Sequence, residues 1–190
     1  MADRIENPQK TPGLLAIAAF VTAIVAGILN WYELTTEQGT SSYKGTETTA
    51  GLGTIGFGVI LLVCGIVLLV RGARGGRASS IVAIISSLFI LFCAVYSVAS
   101  TGDALASFES SDVGEQFGIP DELAELQIKT AFDRGDMSAK PLTGAYVGIV
   151  PGVLGLAAGI MGVRTAKRVR RGGSAADQAA IPASESPPDA

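Results

Sequence analysis

Four long apolar stretches divide the chain into blocks. They contain no Asp, Glu, Lys or Arg and cover residues 11–32, 48–70, 78–102 and 141–163. An α-helix needs about 20 mainly apolar residues to cross a bilayer. Backbone groups inside lipid must be hydrogen bonded within their own segment, so each stretch should be helical. The sequence therefore predicts four transmembrane helices, at 12–30, 51–70, 78–99 and 142–163.

These spans define the expected fold class, an all-α integral membrane protein. It consists of an antiparallel four-helix transmembrane bundle with an extracytoplasmic loop helix. The short link at 71–77 makes the second and third spans antiparallel neighbours. Three segments are expected along the chain. Residues 1–11 form a cytoplasmic N-terminal segment, and residues 12–163 form the bundle with its outer loops at 31–50 and 100–141. Residues 164–190 form a basic collar and a disordered cytoplasmic tail.

The charge distribution predicts the orientation of these spans. The side that carries both termini and the link has a net charge of +5, and the two loops on the other side carry −8. An excess of Lys and Arg marks the cytoplasmic side. We therefore expect a multi-pass plasma-membrane protein with both termini in the cytoplasm. Trp31 and Tyr32 directly follow the first span, where interfacial aromatic residues are common.

A signal peptide is the alternative reading of the first span. Arg4 and Lys10 precede its apolar core, which is typical of a secretory leader. The apolar run is longer than most leaders have, and no A-x-A cleavage site follows it. A retained transmembrane helix is therefore the preferred interpretation.

The two outer loops differ in pattern. Residues 31–50 are rich in Thr, Ser and Gly, and we expect an irregular connection there. The second loop contains one predicted helix, Pro120–Arg134, because Pro120 suits a first turn and Gly135 a C-cap. This helix could lie over its own bundle or dock on a partner, and the first arrangement is favoured because a short helix needs a packing surface.

The fourth span carries an ordered row of glycines at steps of 4, 4, 3, 4 and 3 residues. On a helix they fall within a sector of about 80°. Such a row lets another helix backbone approach closely, since lipid offers no hydrophobic drive for association. It predicts helix packing, either within the bundle, which is favoured, or against another subunit. The residues are Gly144, Gly148, Gly152, Gly155, Gly159 and Gly162.

A basic collar follows the fourth span. Its first interpretation is the ordinary orientation signal, and the alternative is contact with anionic lipid head groups. The residues are Arg164, Lys167, Arg168, Arg170 and Arg171.

The composition excludes several kinds of chemistry. The chain has no His and only two Cys, both inside apolar stretches, so His-based catalysis, a disulfide framework and the usual zinc sites are not expected. No span centre carries the charged residues on which coupled transporters usually depend. We expect no catalytic residue, no cofactor and no metal.

Two partial resemblances concern known families. Residues 54–58 (TIGFG) resemble the potassium-channel selectivity filter. Only 12 residues, about 18 Å of helix, would then remain in the second span to cross a hydrocarbon core of about 30 Å.

The layout of a short first loop and a longer second loop is similar to that of tetraspanins. The second loop contains no Cys, so the Cys-Cys-Gly motif of that family is missing.

The expected function follows from these features. It is that of a non-enzymatic four-pass membrane protein that associates with other membrane proteins through Gly-rich helix faces and an acidic outer loop. The alternative is a small oligomeric pore or holin-like permeability factor. The expected partners are the lipid bilayer and other membrane proteins or further copies of the chain, and no nucleic acid. The Ala-, Gly- and Arg-rich composition is typical of a GC-rich bacterial genome.

Overall fold

The structure, a computed structural model, describes residues 10–37, 39–71 and 76–179. Helices make up most of this part, and one small sheet accompanies them. In chain order the elements are α1 (Lys10–Ile28), β1 (Asn30–Thr36), β2 (Gly39–Lys44), a 3-10 turn (Gly45–Glu47), α2 (Thr49–Arg71), α3 (Gly76–Ala99), α4 (Thr101–Phe117), α5 (Asp121–Arg134), β3 (Met137–Pro141), α6 (Thr143–Val147) and α7 (Ile149–Ala179).

Four helices are long and apolar enough to cross a membrane, as predicted. They are α1, α2, α3 and the continuous stretch Thr143–Arg168, which joins α6 to the first part of α7. The ends of the first three lie within two residues of the predicted ends. Charge-free stretches of this length are therefore sufficient to locate the spans.

The four spans pack as an antiparallel bundle. Each packs mainly against two neighbours, in the order α1, α2, α3, α7 and back to α1. Ala19, Leu61, Cys64, Ala83 and Ile90 form its buried core. Large apolar side chains on the outer faces are exposed, as lipid-facing side chains would be. Small residues inside and large ones outside are typical of helix packing in membranes.

The first outer loop is not irregular, and that prediction was wrong. β1 pairs with β2 in an antiparallel hairpin, and β3 from the second loop pairs with the other edge of β1. Leu34 lies opposite both Ser41 and Ala139. Gly39 follows the turn with φ +146°, a conformation that glycine adopts far more easily than other residues. The all-α description therefore holds for the spans but not for the loops.

The second outer loop contains two helices where the sequence predicted one. α5 lies within the predicted Pro120–Arg134, and Gly135 ends it in the left-handed conformation (φ +84°). α4 was missed; it follows α3 after a single residue, Ser100, and packs antiparallel against α5. The three strands, the 3-10 turn, α4 and α5 lie together at one end of the bundle, and we call residues 30–47 and 101–141 the cap.

The opposite end of the bundle carries the ends of the described chain. α7 continues to Ala179, past Gly172, where the sequence predicted a disordered tail. Residues 1–9 and 180–190, which hold the rest of the predicted N-terminal segment and tail, lie outside the described residues. α1 begins and α7 ends on the same side of the bundle, opposite the cap.

Candidate interaction surfaces

Trp31 and Tyr32 do not form an interfacial aromatic belt, and that prediction was wrong. Both are fully buried, with exposed fractions of 0% and 1%. They belong to a core that joins the bundle to the cap, together with Ala26, Leu105 and Ala145. β1 therefore turns two aromatic residues into the protein where a simple loop would have left them facing the head groups.

Trp31 lies in a cradle of glycines. A β-carbon built on Gly144 would come 2.5 Å from its Cδ1, and one on Gly45 would come 2.5 Å from its Nε1. A β-carbon on Gly148 would lie 3.1 Å from the far edge of the ring. The indole N–H donates a hydrogen bond to the carbonyl oxygen of Ala26 at 2.7 Å. The indole is thus enclosed by backbone on several sides and its polar atom is satisfied.

The lower glycines of α7 lie against α3 and α2. β-carbons on Gly152 and Gly159 would come 2.6 Å from Leu91 Cγ and 2.5 Å from Ile84 Cγ1. One on Gly155 would lie 2.7 Å from Leu61 Cδ1 and would also collide with the Ser87 hydroxyl. These separations are far below van der Waals contact. α7 therefore lies closer to its neighbours than it could with any larger residue at these three positions.

The glycine row therefore faces its own chain. Gly162 at its lower end is buried as well. The sequence defined the row but left open whether a bundle neighbour or another subunit covers it. In the structure the two upper glycines accommodate Trp31 and the next three accommodate α3 and Leu61 of α2.

The Tyr32 hydroxyl is buried without a hydrogen-bond partner among the described residues. Burial raises the pKa of this phenol above its ordinary value, and the neighbouring Ser97 hydroxyl offsets part of that shift. Ser97 itself donates to the carbonyl oxygen of Cys93 at 2.7 Å. Burial in this core thus favours the neutral phenol over the phenolate.

Hydroxyl groups along α3 are also occupied. Ser80 and Ser87 donate to the carbonyl oxygens one turn earlier, at Gly76 and Ala83. Cys64 and Cys93 are free thiols. Among the described residues no group of three or more Cys, Asp or Glu side chains is placed to hold a metal ion. The Ser80 and Ser87 hydroxyls thus form their hydrogen bonds within α3 itself.

The cap carries most of the negative charge of the chain. Among its described residues, Lys129 is a cation that forms ion pairs. Lys129 Nζ lies 2.6 Å from Glu125 Oε1 and 3.9 Å from Asp103 Oδ1. The hydrogen bond to Glu125 raises the pKa of Lys129 above its ordinary value. The pair links α5 to α4 at the cap surface, where such contacts contribute little to stability.

Large apolar side chains are exposed at the far end of the α4–α5 hairpin. Phe117, Leu126 and Leu123 have exposed fractions of 68%, 61% and 52%. Phe117 ends α4, and the two leucines lie on the first turns of α5. Exposed acidic residues flank them, including Glu115, Asp121 and Glu122. We call Phe117, Leu123 and Leu126 the tip.

The basic collar lies at the opposite end of the bundle. Arg164, Lys167 and Arg168 are on α7 and their side chains are exposed. The predicted collar residues Arg170 and Arg171 also lie on α7, but their side chains are outside the described residues. The collar and the tip are therefore at opposite ends of the molecule.

Comparison with known proteins identifies no relative. No protein-family model matches the sequence. No curated protein and no solved structure matches it either. The function therefore has to be inferred from the surfaces themselves.

Sequence analysis missed the tip. Leu123 and Leu126 were visible as apolar positions of the loop helix, but they do not share one stripe with Ile128 and Phe132. The structure separates them by burial: Ile128 faces the cap interior, and the two leucines do not. The lack of a single stripe was thus the available signal, because it indicates a helix with apolar residues on more than one side.

Proposed function

We propose that the chain is a non-enzymatic four-pass protein of the plasma membrane that docks on another membrane protein through its acidic cap. Both termini lie in the cytoplasm and the cap lies outside. The observation that supports the proposal is the exposed tip, three large apolar side chains beyond the end of the four-helix bundle.

The charge around the tip indicates the chemistry of the partner. The two outer loops carry a net charge of −8, and acidic residues directly flank the tip. An apolar patch with a polar rim is a common mark of a protein interface. Anionic head groups would repel this surface, whereas a protein with an apolar pocket and a rim of Lys and Arg would attract it.

Helix faces contribute less to this proposal than the sequence suggested. Five of the six glycines in the row of the fourth span lie against residues of their own chain. The glycines thus allow close helix packing inside the bundle and are not available to another protein. Association through the cap requires no rearrangement of that packing, and so the cap is the proposed docking surface.

The pore alternative requires an aqueous path. Ala19, Leu61, Ala83 and Ile90 fill the bundle interior, so the path would have to form between several copies. The outward faces of the spans are mainly apolar, as the exposed Val63, Phe92 and Val153 illustrate. Such faces suit lipid better than water. Ion flux across liposomes that contain only the purified chain would favour the pore over the docking proposal.

Site-specific photo-crosslinking in cells tests the docking proposal. A photoreactive side chain at position 117 or 126 should yield one defined adduct with a membrane protein. The change Phe117→Ser/Leu123→Ser, with the photoreactive group kept at 126, should reduce the yield at least tenfold, because apolar contacts at the centre of an interface dominate its affinity. The readout is the mass of the adduct and the identity of the linked peptide.

Two controls separate docking from general exposure. The change Gln116→Ser/Gln127→Ser alters exposed polar residues of the same two helices and should leave the adduct unchanged. A photoreactive group at Ser42, on the exposed strand β2, should not give the same product. Equal adducts from positions 42 and 126, or none from 117 and 126, would contradict the proposal.

A further inference from the structure

The exposed face of α7 changes from apolar to basic along its length. Val153, Ile160 and Met161 are exposed on the bundle's outer surface, with fractions of 39–54%. Arg164, Lys167 and Arg168 follow at spacings of three and four residues. At 100° per residue all six positions share one side of the helix. A single helix face thus offers an apolar surface and, directly beyond it, three cations.

The glycine row lies on the other side of the same helix. Gly152, Gly155 and Gly159 contact α3 and α2, so the basic residues point away from the bundle interior and toward the surroundings of the protein. The span begins at Thr143, and twenty residues of helix rise about 30 Å, the thickness of the hydrocarbon core. Arg164 therefore lies where the head groups of that leaflet begin.

Within the described part of the chain, no acidic residue forms an ion pair with these three cations. The described ion pairs all involve Lys129, on the cap at the opposite end of the bundle. The described parts of α1, α2, α3 and α7 at the collar end, residues 10–14, 67–71, 76–80 and 161–168, contain no Asp or Glu. Arg71 and Arg77 add further exposed positive charge at the same end. Among these described segments, an anion placed there would meet only positive charge.

We propose that this face of α7 binds an anionic phospholipid. Its phosphate is held by Arg164, Lys167 and Arg168, and its acyl chains lie along Val153, Ile160 and Met161. A basic cluster at the cytoplasmic membrane surface contributes about fivefold in affinity per cation. The proposal is independent of the cap and of any protein partner. It differs from an orientation signal, because that signal needs positive charge but no particular helix face.

Native mass spectrometry of the purified full chain in mild detergent tests the site. Phosphatidylglycerol and phosphatidylcholine with identical acyl chains are added in turn. The native chain should retain phosphatidylglycerol in preference. The change Arg164→Gln/Lys167→Gln/Arg168→Gln should weaken that retention about 100-fold, at about fivefold per cation removed, and leave phosphatidylcholine unaffected.

A matched control removes the same charge elsewhere. Lys44→Gln/Arg134→Gln/Lys140→Gln changes three exposed cations of the cap and should keep the lipid preference. Arg164→Lys/Arg168→Lys keeps the charge and should keep most of the binding. Should the triple collar variant fold poorly, Lys167→Gln alone should still weaken retention about fivefold.

Three outcomes would overturn the lipid site. The first is equal retention of both lipids by the native chain. The second is an equal loss in the cap variant, which would indicate a dependence on net charge alone. The third is displacement of phosphatidylglycerol by millimolar inorganic phosphate, which would indicate a free-phosphate site rather than a lipid site.

Discussion

Replacing Gly148 and Gly155 together with leucine is expected to prevent the bundle from closing. At Gly155 even a β-carbon would lie 2.7 Å from Leu61 Cδ1, and at Gly148 it would press on the Trp31 ring at 3.1 Å. Leucine adds three further carbons at each position. Overpacking costs about 1–3 kcal/mol per site, and more where backbone blocks relaxation, so the pair should lose about 3–6 kcal/mol. Unfolding in detergent micelles, followed by circular dichroism, measures this loss.

Gly56 offers a matched control for this double change. It lies in α2 and is exposed, and a β-carbon there would meet nothing within 4 Å. Gly56→Leu should leave the unfolding midpoint nearly unchanged. It should also leave the elution volume of the protein in size-exclusion chromatography unaltered. Should the double variant fold and elute like the native chain, the glycine row would not be a packing surface.

Replacing Trp31 with alanine is the second change with a large expected effect. Its indole is fully buried and joins α1, the 3-10 turn and the start of the fourth span. The change removes this contact and leaves the Ala26 carbonyl oxygen without its 2.7 Å donor. Loss of a buried Trp typically costs about 3–5 kcal/mol. We expect a loss of this size in the free energy of unfolding, measured in micelles.

Two further variants identify the cause of that loss. Tyr146→Ala removes an aromatic ring that is 51% exposed near the same end of the bundle, and it should cost far less. Trp31→Phe keeps an aromatic ring but not the N–H donor, and should lie between the native chain and Trp31→Ala. An equal loss for Tyr146→Ala and Trp31→Ala would show that the buried junction has no special role.

The spans were predictable because a bilayer imposes one strong requirement. A charge-free stretch of more than 20 residues has few other stable forms, and three of the four spans end within two residues of the expected positions. The loop helix α5 was also predictable, since Pro120 and Gly135 mark its ends by local backbone geometry. These features depend on single segments of chain and not on what packs against them.

The sheet and α4 were not predictable by the same means. β2 is almost entirely exposed, and neither β1 nor β2 shows a clear alternation of buried and exposed residues. β1 also pairs with β3, a strand more than 100 residues away, and no local pattern indicates that partner. α4 contains Ser, Gly and Asp and has little amphipathic character, although Leu105 and Ala106 are buried in the cap. Tertiary contacts decide both elements, and propensity is too weak to show them.

The site residues divide in the same way. Helical spacing identified the glycine row and the collar, but spacing alone does not tell what a face contacts. Trp31 illustrates the difficulty: an aromatic residue at the end of a span can anchor in the head groups or turn inward, and the same sequence fits both. Gly45, Gly144 and Gly148, which are distant from Trp31 in the sequence, lie against its ring and enclose it in the core. The tip is a similar case, because Leu123 and Leu126 are exposed only by the way α5 packs with Ala124 and Ile128 inward.

Determining which side of the membrane each segment occupies tests the central claim most directly. Reporter domains that function on one face only would be fused to the first residue, the last residue and the α4–α5 turn at Gly118. The account predicts the same face for the two ends and the opposite face for Gly118. Ends on opposite faces, or a monodisperse chain purified without detergent, would contradict it.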